Sequence, residues 1–383
     1  MKAVRWMGPR WVQVEQAPDP EIQQPTDAII KVTATAICGS DLHLYDHGAS
    51  MAMKPGDILG HEAMGIVEEV GSDVAQIAPG DRVVVPFNIS CGHCFFCTKG
   101  LYSQCEETQN LGGRKGAALF GYTHMYGGVP GGQAEYLRVP MAHFGPIRLD
   151  DSVPELAGLL LSDVLPTAWQ AVAYADVEPG STVAVFGLGP VGQMVARIAM
   201  HRGAGRVIGV DLVAERLQMA AKHGVEPLDA SQFDSPGEVV SAIQQITKGR
   251  GADSVIEAVG MDSAGSTPDR VLQTLKVQPD RLISLREALG SVRRGGTVSV
   301  VGVYAMWFPN FPIGDLFDKQ ITIRWGQANV RRWTGEILDV LRAGDSLGAA
   351  SLVTDEVPLD AAPQMYEAFK RKENGVVKVV LRP

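Results

Sequence analysis

The chain has 383 residues, 45% of them apolar, with 34 basic against 43 acidic side chains and a formal net charge of −9. That length allows two or three domains around substantial cores. The acidic balance, with no basic run, argues against a nucleic-acid partner, and no apolar run approaches the roughly 20 residues a membrane helix needs, so no membrane partner is expected.

In chain order, "MKAVRWMGPRW" carries one early lysine and no apolar core of signal-peptide length. A cytoplasmic protein with reduced thiols is the expectation. Residues 1 to about 163 read as β-rich, with short apolar runs cut by Gly and Pro: "AIIKVTATAIC", "AMGIVEEVG", "GDRVVVPF" and "AEYLRVP". From about residue 180 the rhythm changes. "STVAVFG", "RVIGVD", "ADSVIEAVG" and "TVSVVGVY" read as buried strands. "PVGQMVARIAMHRG", "VAERLQMAAKHG", "GEVVSAIQQITKG" and "SLREALGSVRRGG" read as helices between them. This alternation predicts an α/β fold with a parallel sheet covered on both faces. "ITIRW" reads as a further strand at a sheet edge. Residues 261–281, polar and Pro-punctuated, look like a long inserted connection, functional or decorative in equal measure.

Four of the five cysteines lie in "CGHCFFCTKGLYSQC". An odd count and dense spacing disfavour disulfides. Cys91, Cys94, Cys97 and Cys105 suit a tetrahedral zinc, ahead of an iron–sulfur cluster and further ahead of a redox switch. Four thiolates close the shell, so a structural role is expected, and His93 reads as a surface residue.

"VAVFGLGPVGQMVARIA" places Gly187, Gly189 and Gly192 as G-x-G-x-x-G between a strand and a helix. That context suits a dinucleotide pyrophosphate at a helix N-terminus. Asp211 ends the next strand, 19 residues after Gly192. A carboxylate there accepts ribose hydroxyls and repels a 2′-phosphate, so NAD is expected over NADP; the alternative is a cap on the helix starting near Val213. Pro190, Val191, Arg216, Gly302 and Val303 complete the expected cofactor contacts.

"AICGSDLHLYD" holds Cys38, Ser40 and His43, and "GHEAMGIVEEVGSDV" holds Gly60, His61, Glu62, Gly65 and Gly71. These residues, the four-cysteine loop and the glycine fingerprint, in this order, resemble the zinc-dependent medium-chain alcohol dehydrogenases along essentially the whole chain. The resemblance implies a GroES-like β-rich catalytic domain beside a Rossmann doubly wound parallel sheet. It sets domains of 1–163 (catalytic, with a structural-zinc lobe), 164–326 (NAD-binding) and 327–383 (completing the catalytic domain).

By the same resemblance, Cys38 and His61 would hold a catalytic zinc, with Glu62 a neighbour able to approach the metal. No cysteine follows Cys105 to serve as the third ligand found in many relatives. Asp163 in "LLLSDVLPTAWQA" takes that place, its other reading being a helix N-cap. That stretch and "GGQAEYLRVP" are similar to the glutathione-independent formaldehyde dehydrogenase and dismutase branch. Ser162-Asp163-Val164 stands where the glutathione-dependent class has Gly-Cys-Gly.

Ser40 and His43 would relay a proton. The expected activity is hydride transfer between an alcohol, or an aldehyde hydrate, and NAD. The alternatives are a dismutase with captive NAD and a non-catalytic zinc- and NAD-binding protein. Two zinc ions per chain, a small alcohol or aldehyde substrate and a homo-oligomer, dimer or tetramer, complete the expectation. Aromatic pocket lining is expected from the "ALFGYTHMYGG" stretch, Trp169, Trp307, Phe308 and Phe311. The "AMWFP" stretch and Ala63 depart from the usual pattern and suggest a reshaped pocket.

Overall fold

The computed structural model describes residues 1–109, 116–235, 237–260, 282–304, 311–372 and 375–383. The 261–281 stretch, Trp307 and Phe308 lie outside the described residues. The chain divides into two compact units, Met1–Pro166 with Ala328–Pro383, and Thr167–Gln327. In chain order the strands are β1 (Lys2–Gly8), β2 (Trp11–Gln16), β3 (Ala28–Ile37), β4 (Asp57–Ile58), β5 (Glu62–Val70), β6 (Arg82–Val85), β7 (Tyr136–Val139), β8 (Ile147–Arg148), β9 (Thr182–Phe186), β10 (Arg206–Asp211), β11 (Glu226–Asp229), β12 (Ala252–Glu257), β13 (Val292–Val300), β14 (Thr322–Trp325), β15 (Asp355–Pro358) and β16 (Val379–Arg382).

The first unit is the β-rich one. A small sheet runs β2-β1-β4, and a larger one runs β15-β16-β3-β5-β6-β8, with β7 also on β3. The antiparallel pair β3 and β5 is its spine, from Ala28 opposite Val70 to Ala36 opposite Glu62. Gly65 belongs to this contact. A Cβ there would lie 2.1 Å from the Lys31 carbonyl oxygen, so only glycine lets the strands approach. Ile30, Val32, Val67, Val83, Val85 and Leu137 build the core against this sheet. Residues 327–383, expected to complete this domain, supply β15 and β16 at its edge.

Among the described residues the second unit holds a six-stranded parallel sheet in the order β11-β10-β9-β12-β13-β14. Strand order reverses between β9 and β12, the switch point at which doubly wound sheets bind ligands beyond their strand ends. Two local expectations change. The helix expected across "SLREALGSVRRGG" spans Ile283–Ser291, and Val292 already begins β13, pairing with Ala252. β11 was not anticipated: "EPLD" has a proline and two acids, and an edge strand tolerates them because one side needs no partner. Among the described residues no single helix is long and apolar enough to cross a membrane.

Between β6 and β7 the first unit carries the four-cysteine lobe. Cys91, Cys94, Cys97 and Cys105 are buried, with their sulfurs within 4.8 Å of one another. Cys91 and Cys97 sulfurs are 4.0 Å apart. Zinc–sulfur bonds of about 2.3 Å at tetrahedral angles separate two sulfurs by about 3.8 Å. Backbone N–H groups already point at these sulfurs, Cys94 N to Cys91 Sγ at 3.3 Å, Cys91 N to Cys105 Sγ at 3.3 Å and Glu106 N to Cys94 Sγ at 3.4 Å. Burial opposes ionisation of Cys94, but backbone hydrogen bonds outweigh it and bring the thiol down to about 7; burial pushes the Cys91 and Cys97 thiols up, and a cation would offset that. The lobe therefore fits a metal held by four thiolates. His93 is exposed and engages the Cys91 carbonyl oxygen at 3.1 Å instead.

The lobe is tied to the start of the helix Val330–Arg342: Ser103 donates its N–H and its hydroxyl to Asn329 Oδ1, each at 3.0 Å. Cys91→Ser should lower the thermal midpoint by about 5–10 °C and release the metal of this lobe. Calorimetry with metal analysis checks both; an unchanged melt would remove the stapling role.

Candidate metal and nucleotide sites

The strand register builds the candidate metal centre. Because Ala36 on β3 faces Glu62 on β5, the end of one strand meets the start of the other, and Cys38 comes beside His61. Asp163 follows the short turn Leu160–Ser162, which is held against the end of β6 by a bond from Phe87 N to Ser162 O at 3.1 Å. Ligand atoms of Cys38, His61, Glu62 and Asp163 all lie within 4.8 Å of one another. Cys38 Sγ is 3.6 Å from Asp163 Oδ2, and His61 Nε2 is 3.4 Å from the same oxygen. Zinc bonds of about 2.0 Å to N or O and about 2.3 Å to S give tetrahedral edges of about 3.5 Å and 3.3 Å for those two pairs. The donor atoms are therefore already at ligand spacing.

Asp41 stands behind the imidazole. Its Oδ1 is 3.1 Å from His61 Nδ1, which leaves Nε2 directed at the cluster. Its Oδ2 accepts from Cys38 N at 3.0 Å, closing a capping box on the helix Gly39–His47, and from Gln133 Nε2 at 3.2 Å. Gln133 in turn accepts from the Tyr366 hydroxyl at 2.8 Å. One carboxylate thus caps a helix, stands against a candidate metal ligand and anchors a buried network.

The electrostatics agree. Burial first, then Glu62, push the Cys38 thiol up. Burial would lower His61, but Asp41, Cys38 and Asp163 outweigh it and hold the imidazole well above its ordinary value. A divalent cation satisfies both groups by taking a thiolate and a neutral imidazole. Glu62 Oε2, buried and without a hydrogen bond, faces the same need. Its other oxygen lies 2.5 Å from Lys378 Nζ, and both residues are fully buried.

Ser40 and His43 share the helix Gly39–His47 at i and i+3, so they project from one face. Ser40 Oγ is 3.2 Å from His61 Nε2, beside the ligand set. Phe87 and Tyr122 stand edge-on to the His61 ring, with centroids at 6.3 and 6.4 Å. Of the "ALFGYTHMYGG" stretch, Tyr122 and Phe120 are buried, while His124 Nε2 reaches the Asp57 carboxylate at 3.1 Å. Within the second unit, Trp169 packs near His201, under the Arg202 guanidinium, and Phe311 meets Trp325 edge-on.

In the second unit the glycine loop follows β9, and the helix Pro190–His201 starts directly after Gly189, so Pro190 and Val191 form its first turn. Gly187 has φ of +86°, and a Cβ on Gly192 would lie 1.8 Å from the Gly187 carbonyl oxygen. The turn and the helix approach both require glycine. Asp211 ends β10 and accepts from Leu188 N at 2.6 Å, Leu212 N at 2.7 Å and Val213 N at 2.9 Å. It therefore braces both the glycine loop and the entry to the helix Ala214–Ala221, where Arg216 lies 3.9 Å away.

Gly302 and exposed Val303 follow β13. Glu257, at the end of β12, holds that crest. Its carboxylate accepts from Val259 N, Gly260 N and Ser284 Oγ, and its carbonyl accepts from Val301 N and Gly302 N. Burial pushes its carboxyl up.

Sequence reasoning missed Asp41, Gln133, Tyr366, Glu257 and Lys378. Asp41 had a signal, an acid three residues after the N-cap Cys38. Lys378 had another, a lone charge inside "GVVKVV". Asp41→Asn should weaken metal retention at Cys38 and His61 by about 10–100-fold, measured by chelator competition, with the four-cysteine lobe unaffected; equal loss from both sites would contradict the local role.

Residues 24–148 match the family model of the alcohol dehydrogenase GroES-like domain, and residues 190–278 match that of the zinc-binding dehydrogenases. The chain is 42% identical over 385 residues to the uncharacterized zinc-type alcohol dehydrogenase-like protein AdhB of Bacillus subtilis, covering 100% of each chain. It is 32% identical to a glutathione-independent formaldehyde dehydrogenase of Pseudomonas aeruginosa, covering 96% of this chain and 94% of that one. Among solved structures it superposes on the alcohol dehydrogenase TADH from Thermus sp. ATN1 with a TM-score of 0.84 and 36% identity, covering 100% and 99% of the two chains. The chain belongs to the zinc-dependent medium-chain alcohol dehydrogenases, a family of oxidoreductases, and has formaldehyde-dehydrogenase-like members among its relatives.

Proposed function

We propose that this protein oxidises an alcohol or an aldehyde hydrate, or runs the reverse reduction, with NAD as the hydride carrier. The observation that carries the reading is the convergence of three unlike donors, Cys38, His61 and Asp163, at ligand spacing, with Asp41 behind the imidazole. A closed site would use four strong ligands; three protein donors and an open position are the catalytic pattern. Two zinc ions per chain follow, one here and one in the four-cysteine lobe. When bound, the zinc supplies Lewis acidity and the nicotinamide accepts the hydride.

The chain's own residues do the rest. Asp41 Oδ1, 3.1 Å from His61 Nδ1, favours a proton on that nitrogen, so that Nε2 is left for the metal. Ser40 takes the hydroxyl proton of the substrate, and His43, one turn along the same helix face, receives it; an imidazole titrates near neutrality. The substrate carbon thus loses a hydride and its oxygen a proton, leaving a carbonyl. Phe87 and Tyr122 present apolar edges beside His61 and favour a small or planar substrate. Gly187, Gly189, Pro190, Val191 and Gly192 cradle the pyrophosphate, with Gly302 and Val303 on the later crest. Asp211 accepts the ribose hydroxyls, and its charge repels a 2′-phosphate. A cytoplasmic location and a homo-oligomer belong to this reading; for the oligomer, β14 is the outermost strand of its sheet among the described residues and exposes Thr322, Arg324 and Trp325.

Purified zinc-replete protein should form NADH with at least one class among primary, secondary and aromatic alcohols and formaldehyde. Silence across the panel from dialysed protein that still carries stoichiometric nucleotide would replace this reading with captive-cofactor dismutation. Silence from nucleotide-free protein would sink both. Asp211→Ser should cut the preference for NAD over NADP by about tenfold or more, a change near the 1.4 kcal/mol that a factor of ten represents. Unchanged ratios of kcat/KM for the two cofactors would remove Asp211 from cofactor selection.

A further inference from the structure

Lys378 is a fully buried ammonium with no part in the chemistry above. It precedes β16, whose first residue, Val379, pairs with Ile37 next to Cys38. The register therefore delivers a lysine from the end of the chain to the back of the metal centre. Nζ lies 2.5 Å from Glu62 Oε1 and donates to the Ile37 carbonyl oxygen at 3.3 Å. Burial opposes its charge, but Glu62 and then Cys38 outweigh that and keep the ammonium protonated.

Glu62 is divided between two demands. Oε1 belongs to Lys378, while Oε2 is buried, has no hydrogen bond, and shares the cluster with Cys38, His61 and Asp163. A simple ion pair joining β16 to β5 needs no orphaned oxygen among metal donors. The charges of the cluster's donors also balance, Asp41 behind them being met by the Cys38 N–H and Gln133 Nε2. Ionised Cys38, Asp163 and Glu62 bring three negative charges. A divalent cation leaves one uncompensated, and Lys378 supplies its counterpart in a site too buried for water to do so.

We propose that Lys378 is a positioning residue of the metal centre: it holds Glu62 in reserve, engaging one carboxylate oxygen so that the coordination position needed by a substrate oxygen stays open. This rests on the zinc-oxidoreductase reading of the same site. Without the ammonium, Glu62 is released towards the cation, and the centre gains a fourth protein ligand. The metal is then held more tightly and the reaction slows.

The test uses the full chain with cobalt at the Cys38 centre and zinc kept in the four-cysteine lobe. Lys378→Met should raise metal retention against a chelator by about tenfold or more, shift the visible cobalt bands and lower kcat by about tenfold with little change in KM. The double variant Glu62→Gln with Lys378→Met should return the cobalt bands to those of the unaltered protein. Glu62→Gln alone keeps the shape but leaves the ammonium unopposed beside the cation, so retention should fall about tenfold; this variant carries the test if Lys378→Met does not fold. Metal loosened equally in Lys378→Met and in the double variant, with unmoved bands, would overturn the proposal, as would unchanged retention in Glu62→Gln. If the unaltered protein takes up metal only in the four-cysteine lobe, the proposed function falls with it.

Discussion

The antiparallel pairing of β3 with β5 is the constraint on which the rest depends. Its register sets the end of one strand beside the start of the other, bringing Cys38 to His61 across 22 residues of intervening chain, with Glu62 next to it. A one-residue slip would turn every side chain to the opposite face and scatter the donors. The close approach at Gly65 helps to hold that register, which gives the spacing of Gly60, Gly65 and Gly71 around His61-Glu62 a mechanical meaning beyond pattern.

Around that pairing the protein concentrates negative charge where water is scarce. Cys38, Asp41, Glu62 and Asp163 crowd one imidazole, and burial alone would neutralise most of them. Two of these charges have a partner in the chain itself, backbone N–H and Gln133 for Asp41 and Lys378 for Glu62, and the spacing of the rest suits a divalent metal. The four-cysteine lobe solves a like problem differently, with backbone N–H groups aimed at sulfurs and no open face.

Much of this was legible in the sequence, for identifiable reasons. Strands β3, β5, β6, β9, β10 and β12 show as apolar runs because both faces, or one face and its neighbours, are buried. The glycine fingerprint shows because steric closeness at Gly187 and Gly192 permits no other residue. What stayed hidden depended on distant chain segments. No local pattern marks Gln133 or Tyr366 as part of one network with Asp41, since they meet across more than 200 residues. β11 was invisible because an edge strand tolerates Pro227, and the helix ending at Ser291 was overextended because pairing with β12, not propensity, decides where β13 begins.

The two metal sites differ in how far apart their parts lie along the chain. The lobe collects its four thiols within 15 residues, whereas the other centre needs Cys38, His61 and Asp163 and is backed by Lys378, five residues from the final one. Loop-closure entropy makes the first a local event and the second a long-range one. As the chain leaves the ribosome, the lobe can capture its ion while most of the second unit is still unmade. The reactive centre attains its full electrostatic balance only after β16 has been released and has paired with β3. Sequence distance thus separates the completion of the two candidate sites in time, and the one backed by Lys378 comes last.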